Sequence, residues 1–169
     1  VSIERISGNL TDHYDPRSNV VRLSDSVYGK TSVAAIGVAA HECGHAVQHA
    51  QGYAPMQIRS AVIPLTQIGS QLAYPLVLIG LIFSSMQFLV PIGIWLFVAV
   101  VFFQLITLPV EFNASSRALN TLENSAYLDR EEVAQAKKVL VAAALTYVAA
   151  LFTAIAQLIR LIGISNRRN

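Results

Sequence analysis

His41-Glu42-Cys43-Gly44-His45, followed from Ser60 to Val110 by a run without a single charged side chain, is the stretch on which the reading of this chain turns. An α-helix completes a turn in about 3.6 residues and rises about 1.5 Å per residue, so histidines four apart stack on one face, roughly 6 Å apart along the axis. Two imidazoles so placed can meet one ion, and Glu42 stands beside them, off the ligand axis, where it can hold a water. Such a five-residue pattern also arises by chance. Here the flanks Val38-Ala39-Ala40 and Ala46-Val47 are uncharged and suit a buried helix, which without an ion would hide two histidines and a carboxylate unpaired. One zinc ion is the preferred reading. In the hydrolytic version, zinc acidifies the water, Glu42 takes its proton, a peptide carbonyl is attacked, and Glu42 passes the proton to the leaving amine.

The uncharged run sets the surroundings. The chain is 54% hydrophobic but only 13% charged, where a quarter charged is usual, and this marks a membrane protein in contact with a lipid bilayer. A net charge of +2 with scattered Lys and Arg excludes a nucleic-acid surface. The lone Cys43 cannot form an intrachain disulfide and is compatible with a reducing side. The chain opens on Val1 without a basic n-region or an apolar h-region, so no secretory signal is expected, and the start reads as a truncation.

Four segments follow from the patterning. Residues 1–30 are polar and mixed, and 1–58 are expected to form the N-terminal part of a zincin-like catalytic domain: 12–19 read as a turn-rich loop, Val20 to Leu23 as the only convincing strand, and Thr31-Ser32 as the cap of a zinc helix running to about Ala50, ended by Gly52 and Pro55. Residues 59–110 form a transmembrane helical hairpin, its spans near 60–83 and 90–109, each about the 20 residues a bilayer requires. Pro64 and Pro75 inside it predict kinks rather than breaks. Residues 111–138 are polar and helical, and residues 139–169 hold a third membrane helix, whose alanines, Thr146, Thr153 and Gln157 would equally suit a helix buried against the others. The fold class expected is a mainly α membrane protein with a zincin-like helix, a short β element, a helical hairpin and a C-terminal membrane helix.

Catalytic zinc takes three protein ligands and keeps one position open. His49 continues the series but lies about 12 Å along the axis from His41, and the metzincin spacing would require a histidine where Gln51 stands. Between Glu42 and Glu123 the only carboxylate is Glu111, immediately after the second span. A charged residue abutting a span is commonly an interfacial anchor. Because a hairpin returns the chain to the side it left, and no rival carboxylate lies nearer, Glu111 is favoured as third ligand.

The stretches Leu10-Thr11-Asp12-His13-Tyr14-Asp15-Pro16, Ala40-His41-Glu42-Cys43-Gly44-His45-Ala46 and Pro109-Val110-Glu111-Phe112, with the hairpin between the last two, resemble gluzincin membrane metalloproteases of the HtpX and CAAX prenyl endopeptidase type. The similarity to the bacterial YugP-like family of membrane zinc metallopeptidases extends over nearly the whole chain. The resemblance implies that His41, His45 and Glu111 bind zinc, that Glu42 is the general base, and that a transmembrane helix lies upstream. One departure stands out. The HtpX type has an aspartate four residues after the ligand glutamate, where this chain has Ser115, with Asn113 two residues after the ligand; the groups that would orient the histidines thus differ.

His13, in a loop between two aspartates, is a candidate for stabilising the oxyanion, although a loop histidine more often bonds its own turn. The strand Val20 to Leu23 is a candidate edge for an extended substrate peptide. Arg59, Arg117, Arg130, Lys137 and Lys138 share the side of the zinc motif, so the positive-inside rule puts the site in the cytoplasm of a multi-pass bacterial membrane protein. Arg167 and Arg168 would fall outside if the last segment spans. Two functions compete: a membrane-embedded zinc endopeptidase acting on protein or peptide substrates, and a catalytically silent zinc-containing scaffold that binds a partner membrane protein. A zinc transporter is disfavoured, because residues 60–110 offer only amides and hydroxyls as polar groups.

Overall fold

The computed structural model describes residues 1–125 and 127–166. The elements in order are β1 (Ser2–Ile6), β2 (His13–Asp15), β3 (Val20–Ser24), α1 (Val33–Ala50), α2 (Ala54–Ile82), a 3₁₀ turn (Ser84–Met86), α3 (Leu89–Asn124) and α4 (Arg130–Asn166). The protein is mainly helical with one small sheet, and α2, α3 and α4 are each long and apolar enough to cross a membrane. Arg167 and Arg168, which bear on orientation, lie outside the described residues.

The chain packs as two compact units. The first comprises Val1–Met56 and Pro109–Thr146, the second Gln57–Leu108 and Tyr147–Asn169. In the first, the sheet has the order β1-β3-β2, with β1 parallel and β2 antiparallel to β3. The sequence reading found only β3. It is the one strand with buried residues on both faces, whereas β1 is exposed along most of its length and β2 has just three residues. The consequence corrects an expectation: β3 is the middle strand with both edges taken, so no peptide can add to it. The β2–β3 hairpin closes through Pro16–Asn19, where Asn19 is left-handed (φ 56°), a conformation asparagine tolerates; its Oδ1 also accepts from the Tyr14 hydroxyl at 2.8 Å.

Helix α1 begins where expected. The Ser32 side chain accepts from the Ala35 N–H, and the helix ends at a glycine in the left-handed region, Gly52 at φ 63°. Pro55 does not terminate α1; it sits in the first turn of α2, where its missing N–H costs nothing. One face of α1 joins the core of Tyr14, Val21, Leu23, Val27, Ala35, Ala46 and Val110. Another packs through Val33, Ile36 and Ala40 on a cluster of Leu122, Val133 and Ala136 from α3 and α4. Its Gly44 lies so close to α3 that an added Cβ would stand 2.6 Å from the Ala114 carbonyl oxygen.

The polar stretch after Glu111 is not one element. Helix α3 continues through Pro109 to Asn124, and α4 starts anew at Arg130 with a reciprocal cap, the Glu132 N–H donating to Asp129 Oδ1 and the Asp129 N–H to Glu132 Oε2. In the second unit the hairpin is packed closely through small residues: a Cβ on Gly69 would lie 2.6 Å from the Leu96 carbonyl oxygen, and one on Gly93 2.7 Å from that of Ala73. Ala73, Val77, Val90, Phe97 and Leu161 form its core, while Leu72, Leu78, Trp95 and Phe102 face outward, as side chains solvated by lipid would. Helix α2 runs on through Pro64 and Pro75 without a break.

Candidate metal centre and active site

Two helices supply the site. From α1 come His41 and His45, one turn apart, with ring centroids separated by 4.7 Å and planes at 85°. From α3 comes Glu111, 2% exposed, whose Oε2 lies 3.2 Å from His41 Nε2 and 3.6 Å from His45 Nε2. The three ligand atoms fall within 4.8 Å of one another, and this is the one such group of His, Cys, Asp or Glu among the described residues. A tetrahedral ion bound at about 2.0–2.2 Å holds its ligand atoms roughly 3.3–3.6 Å apart. The two nitrogen-to-oxygen distances, 3.2 and 3.6 Å, lie close to that spacing, and two imidazoles with a carboxylate are a donor set suited to zinc. The residues fit the ion.

The other nitrogen of each ring is occupied. His41 Nδ1 is 3.1 Å from the Ser115 hydroxyl, and His45 Nδ1 is 2.9 Å from Gln48 Oε1. A neutral imidazole that donates through Nδ1 keeps its Nε2 lone pair on the Glu111 side, the tautomer a metal ligand requires. Gln48 is completely buried, and its Nε2 donates to the Val110 carbonyl at 2.8 Å and to Asn113 Oδ1 at 2.9 Å. Asn113 in turn accepts from Arg117 Nε at 2.8 Å, and Arg117 NH1 donates to Gln51 Oε1 at 2.8 Å. Of the two residues singled out behind the ligands, Ser115 touches a histidine directly and Asn113 touches one only through Gln48. Gln48 itself was missed. Its signal is an amide three residues after His45, on the same face of a helix with apolar flanks, where a buried amide must find partners.

Glu42 is buried at 8% exposure on α1 between the two histidines in sequence. Burial pushes its carboxyl above the ordinary value, the His45 and His41 rings pull it back, and Glu111 and Asp12 add to the upward push. His13 lies on β2, with Nδ1 2.8 Å from the carbonyl of Thr11 in its own loop, and it is not in the group of three. His49 is also apart from them: its Nδ1 is 2.8 Å from the Tyr14 hydroxyl. Cys43, within the motif, is exposed on α1.

A family profile described as "Putative neutral zinc metallopeptidase" matches residues 1–166. The chain belongs to this family. Among curated proteins, the "Putative membrane protease YugP" of Bacillus subtilis (strain 168) is 48% identical over 164 residues, covering 97% of this chain and 72% of the relative. No solved structure matches the chain. Membership in a zinc metallopeptidase family agrees with the donor set of His41, His45 and Glu111, and the relative's description as a membrane protease agrees with three helices able to span a bilayer.

Proposed function

We propose that this protein is a membrane-embedded zinc endopeptidase in which His41, His45 and Glu111 hold one ion and Glu42 is the general base. The observation that carries the reading is the spacing of the three ligand atoms, 3.2 and 3.6 Å from the shared carboxylate oxygen to the two imidazole nitrogens. When bound there, zinc supplies the Lewis acidity that makes a water nucleophilic and polarises a peptide carbonyl. Glu42, one residue along from His41 and buried, receives the proton of the attacking water and delivers it to the departing amine. A desolvated carboxylate with a raised pKa is a stronger base than one in water, and its conjugate acid is neutral, so it can remain in the buried site between the two transfers. Ser115 and Gln48 keep the two rings aimed during the cycle.

An extended substrate backbone is best accommodated at an edge of the sheet. Since β3 is interior, the candidate edge is β2, which packs beside α1 and carries His13. The basic residues Arg59, Arg117, Arg130, Lys137 and Lys138 flanking the apolar segments support a cytoplasmic site in a bacterial membrane. The competing reading, a silent zinc scaffold engaging a partner membrane protein, predicts that Glu42 is dispensable. Glu42→Gln in the purified full chain should lower hydrolysis of an unstructured peptide or membrane-protein substrate by about 10²- to 10⁴-fold while zinc content stays at one per chain. Glu111→Ala should lose the zinc. Undiminished cleavage by Glu42→Gln would overturn the enzyme assignment, and undiminished zinc in Glu111→Ala would overturn the ligand set.

A further inference from the structure

Arg117 has only donors and the Val110 carbonyl only accepts, and these two facts together direct every hydrogen bond between Arg117 and the metal ligand His45. The Asn113 atom 2.8 Å from Arg117 Nε must be the acceptor Oδ1. Gln48 approaches that same atom at 2.9 Å and the Val110 carbonyl at 2.8 Å. Both are acceptors, so the Gln48 atom facing them is the NH₂, and both its hydrogens are used. The opposite end of the amide is then oxygen, 2.9 Å from His45 Nδ1, and it accepts that nitrogen's proton. Gln48 is 0% exposed, so no water can replace a lost partner. Turned over, its amide would set oxygen against two oxygens.

We propose that Arg117, acting through Asn113 and Gln48, fixes the tautomer and aim of His45, so that Nε2 rather than Nδ1 is the metal-binding nitrogen. The inference rests on the reading of His41, His45 and Glu111 as a zinc site. Arg117, Asn113 and Gln48 are positioning residues, and none of them is a ligand. The chain of donors and acceptors also ties the two ligand-bearing helices together, since Gln48 of α1 bonds the carbonyl of Val110, the residue before Glu111 on α3. It makes a prediction opposite to the usual one. A carboxylate behind a zinc-bound histidine ordinarily holds it well, so Gln48→Glu would be expected to preserve or tighten binding. Here the Glu oxygen that takes the place of the NH₂ would face two acceptors, the Val110 carbonyl and Asn113 Oδ1, with no donor between them.

The test uses the full chain in detergent or nanodiscs, with zinc affinity measured by competition against a chromogenic chelator. ¹⁵N-histidine NMR of the zinc-loaded protein identifies the coordinating nitrogen. Gln48→Glu and Arg117→Met are each expected to weaken zinc by about 10- to 100-fold, and Asn113→Leu is expected to weaken it more than Asn113→Asp, which keeps an acceptor for both neighbours. In the unmutated protein, His45 should coordinate through Nε2 with Nδ1 protonated. Coordination through Nδ1, or Gln48→Glu binding zinc as tightly as the parent, would overturn the inference. If circular dichroism shows Gln48→Glu unfolded, Arg117→Met decides, because Arg117 is only partly buried; parental affinity in that variant is equally fatal. A parent protein that binds no zinc would refute the metal site itself, a separate outcome from a zinc-binding parent insensitive to both changes.

Discussion

Gly44→Ala tests whether the crossing of α1 and α3 sets the metal site. The added Cβ would lie 2.6 Å from the Ala114 carbonyl oxygen and 3.2 Å from its carbonyl carbon and Cα. These are backbone atoms in a helix, so no side chain can rotate away. Ordinary van der Waals contact begins at 3.4 Å, so the helices must separate locally by about 0.8 Å, where zinc ligands tolerate displacements of about 0.2 Å. Gly44 stands between the two histidines in the chain and Ala114 three residues beyond Glu111; the opening therefore falls directly across the ligand set. Overpacking of this kind costs about 1–3 kcal/mol, and if it is expressed in binding, zinc affinity falls by about 5- to 150-fold. Gly37→Ala is the matched control on the same helix, since its Cβ would meet that of Ala136 at an ordinary 3.6 Å; it should be tolerated or gain up to about 1 kcal/mol from helix propensity. The assay is chelator competition for affinity beside thermal unfolding of the zinc-free and zinc-loaded forms. Equal zinc affinity in the Gly44→Ala and Gly37→Ala proteins would refute the argument that this contact sets the site.

Ser115→Ala removes the oxygen 3.1 Å from His41 Nδ1 and should weaken zinc by about 10-fold or more, with Ser115→Thr restoring part of the loss; an unchanged chelator titration would count against the bond. Zinc removal by a chelator should lower the thermal midpoint, and the zinc-induced rise should follow free zinc concentration by mass action; Glu111→Ala should abolish that dependence. The sheet should be acid-labile. Bonds from Ser18, then Arg22 and the Arg17 N–H hold the Asp15 carboxyl well below the ordinary value, and the Gly8 N–H and Arg5 lower that of Asp25. A depressed folded-state pKa means the unfolded chain binds the proton more readily. The stability from these groups is therefore complete above the ordinary carboxylate pKa of about 4 and is lost as pH falls below it. Amide exchange of β3 in the zinc-free protein should quicken on acidification, and Asp15→Asn should flatten that profile; an unaltered profile would contradict the assignment.

Much was legible in the chain because the relevant physics is local. Histidines at i and i+4 share a helix face whatever the tertiary fold, Ser32 and Gly52 punctuate α1 by capping chemistry alone, and a run from Ser60 to Val110 without charge makes helices long and apolar enough to cross a membrane. Glu111 could be named by elimination, since no other carboxylate lies between Glu42 and Glu123. Where reading failed, the determinant was not local. Strands β1 and β2 are too short or too exposed to announce themselves and exist through pairing with β3, which puts β3 inside the sheet rather than at its edge. The polar stretch after Glu111 looked like one segment because helical propensity continues across it, whereas the cap formed by Asp129 and Glu132 divides it.

The sequence by itself determined the chemistry offered: two imidazoles and a neighbouring carboxylate on one helix, and helices long and apolar enough to cross a bilayer. Only the tertiary structure decided which groups surround the ligands. Hydrogen-bond partners of a buried ring depend on ångström-scale approach between α1 and α3, where Gly44 lies against Ala114, and no spacing rule encodes which oxygen will face Nδ1. Ser115 was visible only as a departure from a family pattern, and Gln48 as one amide among many, until the packing brought them to 3.1 Å from His41 and 2.9 Å from His45.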